Sequence, residues 1–241
     1  MATQQQQPDG AAAAALLVAA AEAHVRAALA GHDDSHGWSH IARVRAMALR
    51  LAREEQLEGG ALLAVELAAL LHDLSDYKYG GSDEQAAAGI EEFLGAQHGQ
   101  PELAQRVVAI VRRVGFKDEL PGGGAAPGGG APPPLSAEAA VVQDADRLDA
   151  IGAVGIARCF TFGGARGALL HDPALPPRVG LTKAQYMAGG QQATTINHFY
   201  EKLLTIKGLM KTAAGRRVAE ARHAVMVAFL DQFHAEWEGR A

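Results

Sequence analysis

From about residue 11 to residue 239 the apolar side chains of this chain recur at helical spacing. No stretch alternates apolar and polar residues as a half-buried strand would. The chain is therefore expected to be all-α. A first helix is predicted over 11–30, ending near Gly31, followed by a polar loop through Gly37. A second runs from about Trp38 to Gln56, with Ile41, Val44, Ala48, Leu51 and Ala52 on its apolar stripe. A third covers about 60–75, with Leu63, Leu67, Leu70, Leu71 and Leu74 inward, and stops in Tyr77-Lys78-Tyr79-Gly80-Gly81, where paired glycines break helices. Ser82 with Gln85 reads as a capping box opening a fourth helix over 83–97. Pro101 suits the first position of a fifth helix, and Gly115 suits the position just past its end. Residues 136–162 read as one or two helices, 163–192 as an irregular excursion rich in Gly and Pro, and 194–213 and 215–239 as two closing helices.

Two further segments fall outside this pattern. Residues 1–10 include Gln4–Gln7 and read as a disordered start. Residues 121–134 (PGGGAAPGGGAPPP) cannot bury apolar area and read as a low-complexity loop insertion within one domain spanning 11–241. Nearly half of the residues are apolar, so a large core is available, and abundant alanine favours closely packed helices and offers a face for a homodimer. A net charge of −5 argues against a nucleic-acid surface but leaves room for a small phosphorylated substrate. The single cysteine, Cys159, excludes an intramolecular disulfide and reads as a small core residue. No run of 18 or more apolar residues is present, and Glu22 and His24 interrupt the apolar start, so neither a membrane span nor a secretory signal is expected. The chain reads as cytoplasmic.

Three segments carry chemistry: His36-Gly37-Trp38-Ser39-His40, Leu71-His72-Asp73-Leu74-Ser75-Asp76 and Gln143-Asp144-Ala145-Asp146-Arg147-Leu148-Asp149. Each also has a plainer reading. His40 lies at the edge of an apolar stripe with Val44, Met47 and Leu51, where a core histidine bonded to a carbonyl would also sit. Asp73 and Asp76 share a face at a helix end, where carboxylates oppose the macrodipole unless a cation compensates. Asp144, Asp146 and Asp149 could be a solvated acidic face with Arg147 as a partner. The His-Asp pair inside an apolar run is the strongest signal, because burying an imidazole and a carboxylate is costly unless something pairs with both.

Together, His40, His72-Asp73 and Asp146 resemble the H…HD…D pattern of the HD-domain family of metal-dependent phosphohydrolases. Trp38-Ser39-His40-Ile41-Ala42-Arg43-Val44 is similar to the family's first-ligand helix. Ala145-Asp146-Arg147-Leu148-Asp149 is similar to its last-ligand segment, which selects Asp146 over Asp144. Residues 142–158 and Thr194 to Leu204 resemble a bacterial-type branch that includes nucleotide pyrophosphohydrolase-like proteins; the insertion departs from it. The resemblance implies a single all-α helical-bundle HD domain. It also implies one divalent metal ion on His40, His72, Asp73 and Asp146, since the extra histidines of two-metal members are not evident. A mixed imidazole and carboxylate set suits Mn²⁺ first, with Mg²⁺, Ni²⁺, Co²⁺ or Fe²⁺ also compatible. The implied reaction is metal-assisted hydrolysis of a nucleoside triphosphate to monophosphate and pyrophosphate. The alternatives are another small phosphoester or a nucleotide- or metal-binding regulator without turnover. Asp76 is expected to orient or deprotonate the attacking water and Lys78 to meet phosphate. Arg43 and Arg158 either reach the substrate or pair with an acid. Asn197, His198 and Lys202 are expected near a helix start that could take phosphate or could be capping and packing. Asp144, Asp149 and His36 are candidates to support the ligands from behind.

Overall fold

A computed structural model of the protein describes residues 10–30, 37–74, 82–120, 134–187 and 194–241. Every regular element among the described residues is helical, which meets the all-α expectation. Helix α1 is Gly10–Ala28. Its length and Ala-rich composition are enough to cross a membrane, contrary to the reading that no such segment exists. In the fold, its Val18, Ala21 and Val25 are buried, and the helix packs on α3.

Helices α2 (Trp38–Glu54), α3 (Gly59–Leu71) and α6 (Ala137–Asp149) pack mutually and form the centre of the bundle. The buried face of α2 is His40, Ile41, Val44, Ala48, Leu51 and Ala52, the predicted stripe with His40 added. After α2 the chain turns at Gln56, whose φ of 61° is the left-handed conformation that ends a helix sharply. Helix α3 is buried on all sides from Ala64 to Leu71 except at Glu66, which forms an ion pair with Arg45. It ends at Leu71, earlier than expected, so His72 caps it and Asp73 lies in the turn beyond.

Helix α4 (Asp83–Ile90) begins with the expected capping box between Ser82 and Gln85. It passes into a π-helical stretch, Glu91–Gln97, which the sequence did not signal. Helix α5 (Pro101–Val111) has Pro101 in its first turn. Helices α6 and α7 (Gly152–Ala165) are two elements bent by 66° at Ala150–Ile151. Gly152 makes that bend: its φ is +77°, and Arg222 side-chain carbons lie 2.9 Å from where a Cβ would sit.

The excursion contains a short helix α8 (Lys183–Met187). The closing region departs from two long helices. Helix α9 spans only Thr195–Glu201, a 3₁₀ stretch covers Leu203–Leu209, and α10 is Ala213–Trp237. The break has a cause in α6. The Asp144 carboxylate accepts hydrogen bonds from the backbone amides of Lys211 at 2.9 Å and Thr212 at 2.8 Å. Those amides, turned toward a side chain, cannot continue a helix through 213. Thr212 then caps α10 by accepting from Gly215 N at 2.8 Å.

Candidate metal centre

Each of the three central helices delivers part of one polar cluster. His40 comes from the first turn of α2, His72 and Asp73 from the end of α3, and Asp146 from the last turn of α6. His40 Nε2 lies 3.5 Å from Asp146 Oδ1 and 3.7 Å from Asp73 Oδ2. His72 Nε2 lies 3.7 Å from Asp146 Oδ1. The two imidazole rings are 5.4 Å apart and inclined by 68°. Ligating atoms of His40, His72 and Asp146 all lie within 4.8 Å of one another. These separations are too long for hydrogen bonds and suit atoms that share one ion at ordinary coordination distances of about 2 Å.

The orientation of His72 strengthens that reading. Its Nδ1 is 3.0 Å from the Ala69 carbonyl, which can only accept, so Nδ1 carries the hydrogen. That leaves Nε2 aimed into the cluster, buried and without a hydrogen-bond partner. An orphaned buried nitrogen costs on the order of 1–3 kcal/mol unless something binds it. Burial pushes the His72 imidazole down, but the nearby Asp146 and Asp73 carboxylates outweigh it and lift it to about 9. The Asp146 approach of 3.7 Å is long for a hydrogen bond, so charge does most of that lifting. The site thus favours positive charge at Nε2, and a divalent cation among two imidazoles and two carboxylates fits it. Burial pushes His40 in the other direction, below its ordinary value.

Asp149, one turn after Asp146, is 5% exposed and meets three cations or donors. It lies 2.8 Å from His40 Nδ1 and pairs with Arg43 at 2.7 Å and Arg158 at 2.9 Å. Burial pushes its carboxyl up, but hydrogen bonds from His40 and Arg43 and the charge of Arg158 outweigh it and hold it at about 2. Of the two roles left open for Arg43 and Arg158, pairing with an acid is the one seen, and it puts both guanidinium groups beside the centre.

Other expected residues are placed elsewhere. Asp144 is fully buried and accepts from Lys211 and Thr212, so it braces the start of α10 and does not support the ligands. Asn197 is buried and donates from Nδ2 to the Leu175 carbonyl at 2.8 Å, which ties the excursion to α9. Lys202 follows the end of α9, not its start, with Nζ 4.7 Å from the Phe116 ring centre. The amide of Asn197 at the actual start is already capped by Thr194 Oγ1, so the phosphate role suggested for that helix start has no support. His36, Asp76, Lys78, Tyr77 and Tyr79 lie outside the described residues. Sequence reading missed the Ala69 carbonyl as the group orienting His72. Its only signal is a carbonyl one turn before a histidine at a helix end.

The HD domain family matches residues 37–151. YpgQ of Bacillus subtilis is 35% identical over 215 residues, spanning 89% of this chain and 91% of that protein. The chain belongs to the HD-domain family. A crystal structure from Lactobacillus plantarum superposes with a TM-score of 0.77 at 37% identity, covering 93% of this chain and 98% of that one. An HD-superfamily hydrolase from Bacillus thuringiensis gives 0.68 at 35% identity, covering 93% and 98%. Bacillus subtilis YpgQ in complex with ADP gives 0.66 at 32% identity, covering 93% and 96%. His40, His72 and Asp146 could hold the divalent ion of a metal-dependent phosphohydrolase of this family.

Proposed function

We propose that this HD-domain protein hydrolyses a nucleoside or deoxynucleoside triphosphate to the monophosphate and pyrophosphate. It would use one divalent ion, Mn²⁺ first, held by His40, His72, Asp73 and Asp146. The observation that carries the reading is the buried His72 Nε2, without a hydrogen bond and turned toward the Asp146 carboxylate and the His40 ring. A nucleotide as substrate is supported by the ADP complex of Bacillus subtilis YpgQ, a relative at 32% identity.

When bound, the ion supplies Lewis acidity to a phosphoryl oxygen and to the attacking water. The chain's own residues supply orientation and charge. The Ala69 carbonyl holds the His72 ring, and Asp73 and Asp146 place negative charge on the ion's side. Arg43 and Arg158 set two positive charges beside the centre, which together with a divalent ion outweigh the carboxylates of Asp73, Asp146 and Asp149 and suit a polyphosphate. Asp76 is assigned the proton of the attacking water, and Lys78 the phosphate chain; both assignments rest on their places in the sequence after His72-Asp73.

The test is product analysis with Mn²⁺ across ribo- and deoxyribonucleoside triphosphates and a set of phosphomonoesters. Pyrophosphate with stoichiometric monophosphate from at least one triphosphate is expected. Orthophosphate as the sole product would move the cleavage to another bond. Tight nucleotide binding with no product from any substrate would make the protein a regulator.

A further inference from the structure

The contacts that converge on Asp149 assign it a function of its own. Its Oδ2 accepts from His40 Nδ1 at 2.8 Å, from Arg158 Nη1 at 2.9 Å and from Arg43 Nη2 at 3.0 Å. Its Oδ1 accepts from Arg43 Nε at 2.7 Å. Three helices therefore meet on one buried carboxylate: α2 through His40 and Arg43, α6 through Asp149, and α7 through Arg158. A neutral imidazole has two tautomers of similar energy, and only one presents a lone pair at Nε2. A carboxylate flanked by two guanidinium groups accepts and does not donate, so the hydrogen on His40 must sit at Nδ1. Asn, Ser or water in the same place could not enforce that choice, because each can also donate.

We propose that Asp149 is a positioning residue for the metal. It holds the His40 ring in the Nδ1–H form with Nε2 turned to Asp73 and Asp146, and Arg43 and Arg158 clamp its carboxylate in the orientation that does so. Arg43 engages both oxygens as a fork, which fixes the plane of the carboxylate. Arg158 holds the same oxygen that His40 uses. In this arrangement Arg43 and Arg158 affect metal affinity without touching the metal.

This inference rests on the metal reading of the centre, and two measurements separate the two ideas. The first is a long-range ¹H–¹⁵N correlation spectrum of the full chain labelled on histidine nitrogen, in chelator, with His40→Gln used to assign the His40 signals. The Nδ1–H pattern for His40 is expected, and the Nε2–H pattern overturns the proposal without any change at Asp149. The second is calorimetric titration with Mn²⁺ alone. Asp149→Asn should redistribute the His40 tautomers and weaken Mn²⁺ binding by about 10–100-fold, the usual effect of removing a carboxylate behind a ligating histidine. Arg43→Gln and Arg158→Gln should weaken binding less, with the same direction of tautomer change. Should Asp149→Asn fail to fold, the wild-type spectrum and the two arginine variants still decide. Unchanged tautomer and unchanged affinity in the variants overturn the role of Asp149. Wild-type protein that takes up no divalent ion overturns the metal reading itself, and the positioning role with it.

Discussion

The His72 ring is fixed by the carbonyl of Ala69, 3.0 Å from Nδ1, so the last turn of α3 aims Nε2 into the metal centre. His72→Ala should therefore remove a ligand while leaving the bundle intact, because the helix already ends at Leu71. Metal content of the purified variant should fall to background and activity by more than about a hundredfold, beyond the loss typical of residues behind the ligands. Far-UV circular dichroism should be unchanged. Asp73→Ala should behave in the same way. Full activity in either variant, with metal retained, would refute the ligand assignment.

Asp76 stands apart from the ligands in what its loss should do. In the role proposed for it, accepting a proton from water, it would contribute to turnover and not to holding the ion. Asp76→Ala should lower kcat by about 10²–10⁴-fold, the usual range for a general base, while metal content stays near the wild-type value. Equal loss of metal and turnover would make Asp76 a ligand instead.

Asp144 lies two residues from Asp146, yet its loss should affect a different property. Its carboxylate satisfies the amides of Lys211 and Thr212 and the Thr212 hydroxyl, which donates at 2.8 Å. Asp144→Ala leaves these donors buried and unpaired, at roughly 1–3 kcal/mol each before water relieves some of them. Denaturant unfolding should show a loss on the order of 3 kcal/mol or more, with Mn²⁺ affinity little changed. Gly215→Ala should destabilise as well, because a Cβ there would run into the Asp144 carboxylate. Metal affinity that fell as far as stability would mean that Asp144 supports the ligands after all.

Much of this was legible in the chain, and the rest divides along a physical line. The apolar stripe of α2, the Ser82–Gln85 capping box and Pro101 at the start of α5 are written in residues a few positions apart. So was the pairing of His72 with Asp73, because an imidazole beside a carboxylate stands out in an apolar run. Most features that were missed depend on residues remote in sequence, the Ala69 carbonyl that orients His72 from three positions away being an exception. Asp144 and Lys211 are 67 positions apart, and their contact decides where α10 begins. Asp149 and Arg43 are 106 apart, and their pairing settles a choice that spacing left open. The π-helical stretch after Ile90 has no local marker that we can identify.

Cys159 offers a test of the same distinction between packing and chemistry. Burial pushes its thiol up to about 12, with only Lys202 acting the other way, and its Sγ lies 3.6 Å from the Thr195 carbonyl. Almost none is thiolate at neutral pH, and thiolate is the reactive form. Iodoacetamide at pH 8 should leave the folded protein unmodified for hours and label it promptly in denaturant. Cys159→Ala should keep turnover within about twofold. Rapid labelling of the native protein would reveal an accessible, activated thiol.

Asp149 also predicts how stability depends on pH. Its carboxyl is held at about 2 in the fold, below the 3.8 of an unperturbed aspartate. A depressed folded value means that the native state binds the proton less readily than the unfolded chain. The stabilisation is therefore present in full above about pH 5 and is lost progressively as pH falls through about 4 toward 2. A shift of that size corresponds to roughly 2 kcal/mol. Asp149 is nearly buried, so solvent screening reduces this only modestly. Urea unfolding in chelator at pH 5 and pH 2.5 should show that loss in the wild type. Asp149→Asn should start less stable and lose correspondingly less over the same interval. If the two proteins lost stability in parallel, the arginine-clamped carboxylate would not be the group that titrates.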